Sequence, residues 1–115
     1  MSVVTVTNHS LIKENTVSTG AVPQAFAGSD TIKVPMTGGK NQVIRIMLEE
    51  AGNIVISKGN GLQGIADKTI ALLADREYFI TLESGAYMNV SGSNAGYAII
   101  TPAQAGEISV CDLFF

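Results

Sequence analysis

Almost all the apolar residues of this chain fall in short runs, and each run is closed by Gly, Asn, Asp or Pro. From residue 42 onward the runs cover 42–50, 53–57, 69–73, 77–83, 86–91, 96–101 and 107–113. Short runs at regular spacing, separated by turn formers, are the pattern of a β-sandwich or barrel. The expectation is an all-β, single-domain antiparallel β-sandwich, jelly-roll-like or immunoglobulin-like, with a loose N-terminal arm.

The faces of the runs follow from their alternation. Ile44, Ile46 and Leu48 share one face; Val43, Arg45, Met47 and Glu49 form the other, which is only half polar. Ala51-Gly52-Asn53 then turns the chain into Ile54-Val55-Ile56, whose apolar residues point both ways. The two runs read as a hairpin at the sandwich centre. Tyr78, Ile80 and Leu82 share a face, with Phe79, Thr81 and Glu83 opposite. A long turn over 91–96 precedes Tyr97-Ala98-Ile99-Ile100-Thr101, which Pro102 ends. The expected interior is Ile44, Ile46, Leu48, Ile54, Ile56, Ile80, Leu82, Ile99, Ile108 and Val110. Residues 65–75 hold good helix formers (Ala66, Ala71, Leu72, Leu73, Ala74), so a helix of two or three turns competes there with a strand. The segment's shortness and the β-prone Tyr78-Phe79-Ile80-Thr81 beside it favour the strand.

Residues 1–30 read as an N-terminal arm and irregular segment, and 31–115 as the sandwich body, one domain overall. Residues 2–7 alternate Val and Thr, as either a strand or an extended arm; an arm could be removed with residues 1–8 without unfolding the body. Gly20, Pro23, Gly28 and Ser29 break the stretch that follows. Such a length without regular structure marks a functional loop or an arm that orders against a partner.

At 115 residues the chain supports one core and should bury roughly 65% of its unfolded surface. An apolar share of 46% with 15% charged residues describes a folded chain rather than a disordered one. So little charge leaves a surface of Ser, Thr, Asn, Gly and Ala, of a kind often covered again by neighbours. The net charge of −3 and the scattering of Lys13, Lys33, Lys40, Arg45, Lys58, Lys68 and Arg76 argue against a nucleic-acid partner. A basic leader and an apolar span of membrane length are both missing, so no membrane association is expected.

Chemistry-bearing motifs are few. Gly59-Asn60-Gly61-Leu62-Gln63-Gly64 matches G-x-G-x-x-G after a strand-like run. With a helix over 65–75 it would resemble a dinucleotide-binding turn, and Glu83 would stand near the ribose-binding position. Glycines at 59, 61 and 64 equally suit a wide β-turn through positive φ. Adjacent Glu49 and Glu50 point to opposite faces of a strand, and Asp67, Asp75, Glu77 and Glu83 read as solvated edges. Cys111, the single cysteine, excludes an internal disulfide and reads as a small strand residue without a basic neighbour. It could meet the single His9 in space, but no third ligand accompanies them. The expectation is a non-enzymatic chain with no catalytic, cofactor or metal residues. Phe114 and Phe115, two aromatics at a terminus, are candidate contacts with a neighbour. Val3, Val4, Thr5 and Val6 are candidates too, by adding a strand to another sheet.

The order of these segments resembles the small head decoration, or cement, proteins of tailed bacteriophages and prophages. The resemblance is carried by the Val/Thr-rich start (Val3, Thr5, Val6, Thr7) with its loose polar sequel, and by the strand–turn–strand unit of 42–57. It continues through Gly61-Leu62 to Asp67-Lys68-Thr69-Ile70, Glu77-Tyr78-Phe79-Ile80 and the last run of 108–113. The chain departs from that pattern at Ala74-Asp75-Arg76 and in its Phe114-Phe115 tail. The resemblance implies a virion structural protein assembled in the bacterial host cytoplasm. It would dock on the major capsid protein at the outer head surface, self-associate (a trimer among the options), and stabilise the capsid by tying capsomers together. A tail- or fibre-associated β-domain is the first alternative. The second is a carbohydrate-binding adhesive sandwich with Tyr78, Tyr87 and Tyr97 as a stacking face.

Overall fold

Period-two burial dominates this molecule, and it is clearest where Gln42–Leu48 alternate buried and half-buried residues along their whole length. The computed structural model describes residues 2–10, 23–36 and 42–112, with backbone alone at His9 and Ser10. Its strands in chain order are β1 (Val3–Thr5), β2 (Asn8–Ser10), β3 (Gln24–Phe26), β4 (Thr31–Pro35), β5 (Gln42–Leu48) and β6 (Gly52–Ile56). After these come β7 (Lys68–Leu72), β8 (Tyr78–Ile80), the single helical turn α1 (Ser84–Tyr87), β9 (Tyr97–Pro102) and β10 (Gly106–Asp112). One sheet runs β1-β4-β9-β6-β7 and the other β2-β10-β5-β8, with β3 beside the first half of β10. Pairing is antiparallel except for β1 on β4, β2 on β10 and an isolated bridge between Leu48 and Ala74. The expected antiparallel-rich all-β sandwich is what the chain forms.

Two sheets stand about 10 Å apart when their side chains interdigitate. Ile44, Ile46, Leu48, Ile108 and Val110 face inward from one sheet; Ile32, Val34, Ile54, Ile56, Leu72, Ala98 and Ile100 do so from the other. Phe26 and Val6 complete the buried set. Of the ten residues expected inside, Ile80 and Leu82 only pack against the core from its margin. Ile99 is a correction. Its opposite number across the ladder is Lys33 on the outer face, whereas Ile32 opposes Ile100 inside. The run 97–101 is apolar on both faces, so alternation alone does not say which parity is buried.

The expected hairpin of 42–50 with 53–57 is also corrected. β5 pairs with β8 and β10, while β6 pairs with β7 and β9. The connection at 49–51 crosses from one sheet to the other, so Ile44, Ile46 and Leu48 meet Ile54 and Ile56 across the core instead of side by side. Residues 65–75 contain β7 and no helix, because Ile70 and Leu72 have an inner face to fill opposite Ile54 and Gly52. The run 86–91 is not a strand. Ser84 and Gly85 open α1, the Ala86 carbonyl within it accepts from Gly59 N–H, and beyond it Asn89 and Val90 N–H donate to the Tyr97 carbonyl and to Asn60 Oδ1.

Of the two readings of residues 2–7, the structure has the strand. β1 lies parallel to β4, the Val6 N–H donates to the Lys33 carbonyl (2.9 Å), and β2 then lies parallel to β10. One continuous segment thus belongs to both sheets, with the Val6 side chain in the core between them.

Candidate docking surface

Strand direction sorts the connections onto two ends of the sandwich. Pro35 opposes Tyr97, Ile56 opposes Lys68, Ile44 opposes Ile80, and Gln42 opposes Asp112. Residues 57–67 and 81–96 therefore share one end. At the other, 49–51, 73–77 and 103–105 are joined by Glu49 N–H to the Ala105 carbonyl (2.9 Å) and Asp75 N–H to the Leu48 carbonyl (2.8 Å). That end gathers Glu49, Glu50, Asp75, Arg76 and Glu77. Arg45 reaches Glu77 there in an ion pair. The bond holds the Glu77 carboxyl below its ordinary range and lifts the Arg45 guanidinium above its own. As a pair open to solvent it adds little stability.

The long-loop end is built differently. Lys58 N–H donates to Asp67 Oδ1 (2.8 Å), closing the base of the 57–67 loop. Gly59 N–H donates to the Ala86 carbonyl (2.9 Å). The Asn60 side chain then does the work of a short strand: its Oδ1 accepts from Val90 N–H (2.7 Å) and its Nδ2 donates to the Ser91 carbonyl (3.0 Å). A Cβ at Gly59 would run into the Met88 carbonyl oxygen, and one at Gly64 into the Gly59 carbonyl oxygen. Close backbone approach, not positive φ, is what requires glycine at these two positions: neither has φ above zero. The G-x-G-x-x-G stretch is followed by β7, so the helix N-terminus that a dinucleotide turn places on a pyrophosphate is not formed by residues 65–75.

On these locked loops stand apolar side chains facing water. Leu62 is fully exposed, Val90 is 60% exposed, and a Cβ on Gly61 would lie 3.5 Å from Val90 Cγ1, which places the two loops in contact at the tip. Ile65 is exposed on the same loop. Leu62 falls in none of the apolar runs, and Val90 falls in the run 86–91 that reads as a strand, so the sequence marks neither as a residue of a loop tip.

The residues expected to make contacts fall in different places. Val3 and Thr5 are exposed on the outer face of the first sheet, Val4 faces the core side, and Val6 is in the core. Their backbones pair with β4 and Lys33 on one side, and β1 is the marginal strand of its sheet. Phe114 and Phe115 lie outside the described residues. The three tyrosines do not form one stacking face. Tyr78 packs against the core and its hydroxyl accepts from Leu73 N–H (2.9 Å), Tyr87 packs against the core, and Tyr97 has Lys33 Nζ 4.3 Å above its ring on the other sheet. His9 and Cys111 do come together as register partners of β2 and β10. Among the described residues no group of three His, Cys, Asp or Glu could hold a metal ion.

No protein-family model matches this chain, no curated protein matches it, and no solved structure matches it.

Proposed function

We propose that this chain is a virion structural protein that docks on the outer surface of a phage head and stabilises it, as the resemblance to decoration proteins implies. The observation that carries the proposal is the tip formed by Leu62 and Val90. Apolar side chains held in water by two loops hydrogen-bonded to each other have no part in the chain's own core, yet they are ready to be buried by a neighbour. The Asn60 bonds and the two crowded glycines fix the tip in advance, so docking would spend little binding energy on ordering it. The connections 57–67 and 81–96 at this end carry three charged residues, Lys58, Asp67 and Glu83, fewer than the five gathered in the shorter connections at the other. Attachment through the tip would depend on shape and apolar burial, with the major capsid protein as the partner. Tying two or more capsomers together raises the barrier to their separation without any bond-making step.

The first test is genetic context: the reading expects a major capsid gene adjacent to this one. The second is co-sedimentation with expanded heads of that phage lacking the protein. Intact chain should bind and raise the heads' resistance to heat, and moderate salt should weaken binding only slightly. Leu62→Asp and Val90→Asp, which fall outside the core, should fold normally and lose binding. Failure of the intact chain to bind heads, with binding to tails or to a glycan, would transfer the assignment to the tail-associated or the adhesive alternative.

A further inference from the structure

One side chain does most to join the two loops of the tip. Of the hydrogen bonds that link 57–67 to 86–91 among the described residues, all except Gly59 N–H to the Ala86 carbonyl are made by the Asn60 amide. Its Oδ1 accepts from Val90 N–H (2.7 Å), and its Nδ2 donates to the Ser91 carbonyl (3.0 Å) and to Ser91 Oγ (3.3 Å). The Val90 N–H can only donate and the Ser91 carbonyl can only accept, so the position calls for one oxygen and one nitrogen. A carboxylate there would keep the Val90 bond and set its second oxygen against the Ser91 carbonyl oxygen. The Ser91 hydroxyl could turn its proton to that oxygen, but the two acceptors would still face each other with no proton between them.

Asn60 also begins the only Asn-Gly step in the sequence. A glycine has no Cβ to crowd the approach of another atom to its nitrogen. Asn60 is exposed, and the Gly61 N–H donates to no group among the described residues, so neither water nor the attacking nitrogen is shut out. We propose that Asn60 is a deamidation site that the closed tip protects and whose product opens the tip. The Gly61 nitrogen bonds to Asn60 Cγ, and Nδ2 leaves as ammonia with the proton which that nitrogen gives up, closing a cyclic imide. Water then opens the imide, its hydroxyl going to one of the two carbonyl carbons and its proton to the nitrogen. The result is an aspartate, or a β-linked aspartate in which the main chain runs through Cγ. Both amide atoms are tied to residues 90 and 91 in the closed tip, so turning Cγ onto the Gly61 nitrogen releases those bonds first. Either product lacks a donor for the Ser91 carbonyl, and the β-linked one also lengthens the backbone next to Leu62. The released ammonia does not return, so this one residue sets a lifetime for the closed tip.

This inference does not rest on the capsid reading, and its experiment involves no capsid. The full chain is kept at mildly alkaline pH, folded and in urea, and peptide mapping follows the amide-to-acid mass gain at residue 60. Conversion should be slower in the folded chain by about tenfold or more, the effect of first releasing the Val90 and Ser91 bonds. Gly61→Ala places a Cβ 3.5 Å from Val90 Cγ1, an ordinary contact, on a backbone without positive φ. It should fold normally and slow conversion in urea several-fold by crowding the attacking nitrogen. Asn60→Asp reproduces the direct product. Its circular dichroism should match wild type, while the Gly59 and Val90 N–H groups exchange with deuterium about tenfold faster. Equal rates of conversion folded and in urea, no conversion at residue 60 in urea, or wild-type exchange in Asn60→Asp would each overturn the proposal.

Discussion

Ile99 and Ile100 are adjacent, identical in chemistry, and face different surroundings. Ile100 is wholly buried among Ile32, Ile54 and Ile56, while Ile99 lies half-exposed beside Lys33. Ile100→Ala should cost about 2–5 kcal/mol, through lost burial and the cavity left behind. Ile99→Ala should cost about 1 kcal/mol. Urea denaturation with unchanged slope reads the difference, and equal losses would mean that the parity is wrong. Asp30 makes a second prediction. Its Oδ1 accepts from Ser2 N–H (2.8 Å) and its Oδ2 from Ala27 N–H (2.8 Å). The Ala27 bond first, then the Ser2 bond, hold its carboxyl below the ordinary Asp range. The folded pKa lies under the unfolded one of about 3.9. The carboxylate's contribution is therefore complete above that value and disappears as pH falls through the folded pKa. The stability gap between wild type and Asp30→Asn should be constant at neutral pH and narrow below about pH 4.

At the scale of elements, the N-terminal segment decides most. It leaves the first sheet at Thr5, buries Val6, and enters the second at Asn8. The Gln24 side chain bridges the crossing, with Nε2 donating to the Thr5 carbonyl (3.0 Å) and Oε1 accepting from Thr7 N–H (2.6 Å). Removing residues 2–8 takes away β1, the crossing and one core side chain, and strips Asp30 of a donor. The shortened chain should lose at least about 2 kcal/mol of stability, measured as a lower urea midpoint. Retention of full stability would restore the reading of this segment as an arm. The Val/Thr alternation made a strand legible here, but not its partner. A parallel edge strand is specified by a neighbour 28 residues away in the Val3–Thr31 register, and nothing in the segment itself encodes that neighbour.

For the whole molecule, one core implies one transition. From β4 to β10 the chain changes sheet at every connection except β6 to β7. Neither sheet can open without exposing the inner face of the other. Far-UV circular dichroism and tyrosine fluorescence should therefore report the same thermal midpoint, with a spectrum of strand rather than helix. Two separate midpoints would mean that the sheets unfold independently.

What the sequence by itself determined is the class of fold and the inner faces of β5 and β10, where Ile44, Ile46, Leu48, Ile108 and Val110 alternate with more polar residues. Period-two alternation is a local property, legible within each such strand without knowledge of its neighbours. Tertiary structure decided the rest. Ile54–Ile56 and residues 97–101 are apolar on both faces, so their parity and pairing were set by which strand lay alongside. The crossing at 49–51 placed β5 and β6 in different sheets because their inner faces fill each other's surface. The exposed Leu62 and Val90 were decided last of all, since they depend on Gly59 and Asn60 meeting the backbone of 86–91. A contact between segments has an energy that neither segment carries alone, and only the folded chain brings the two together.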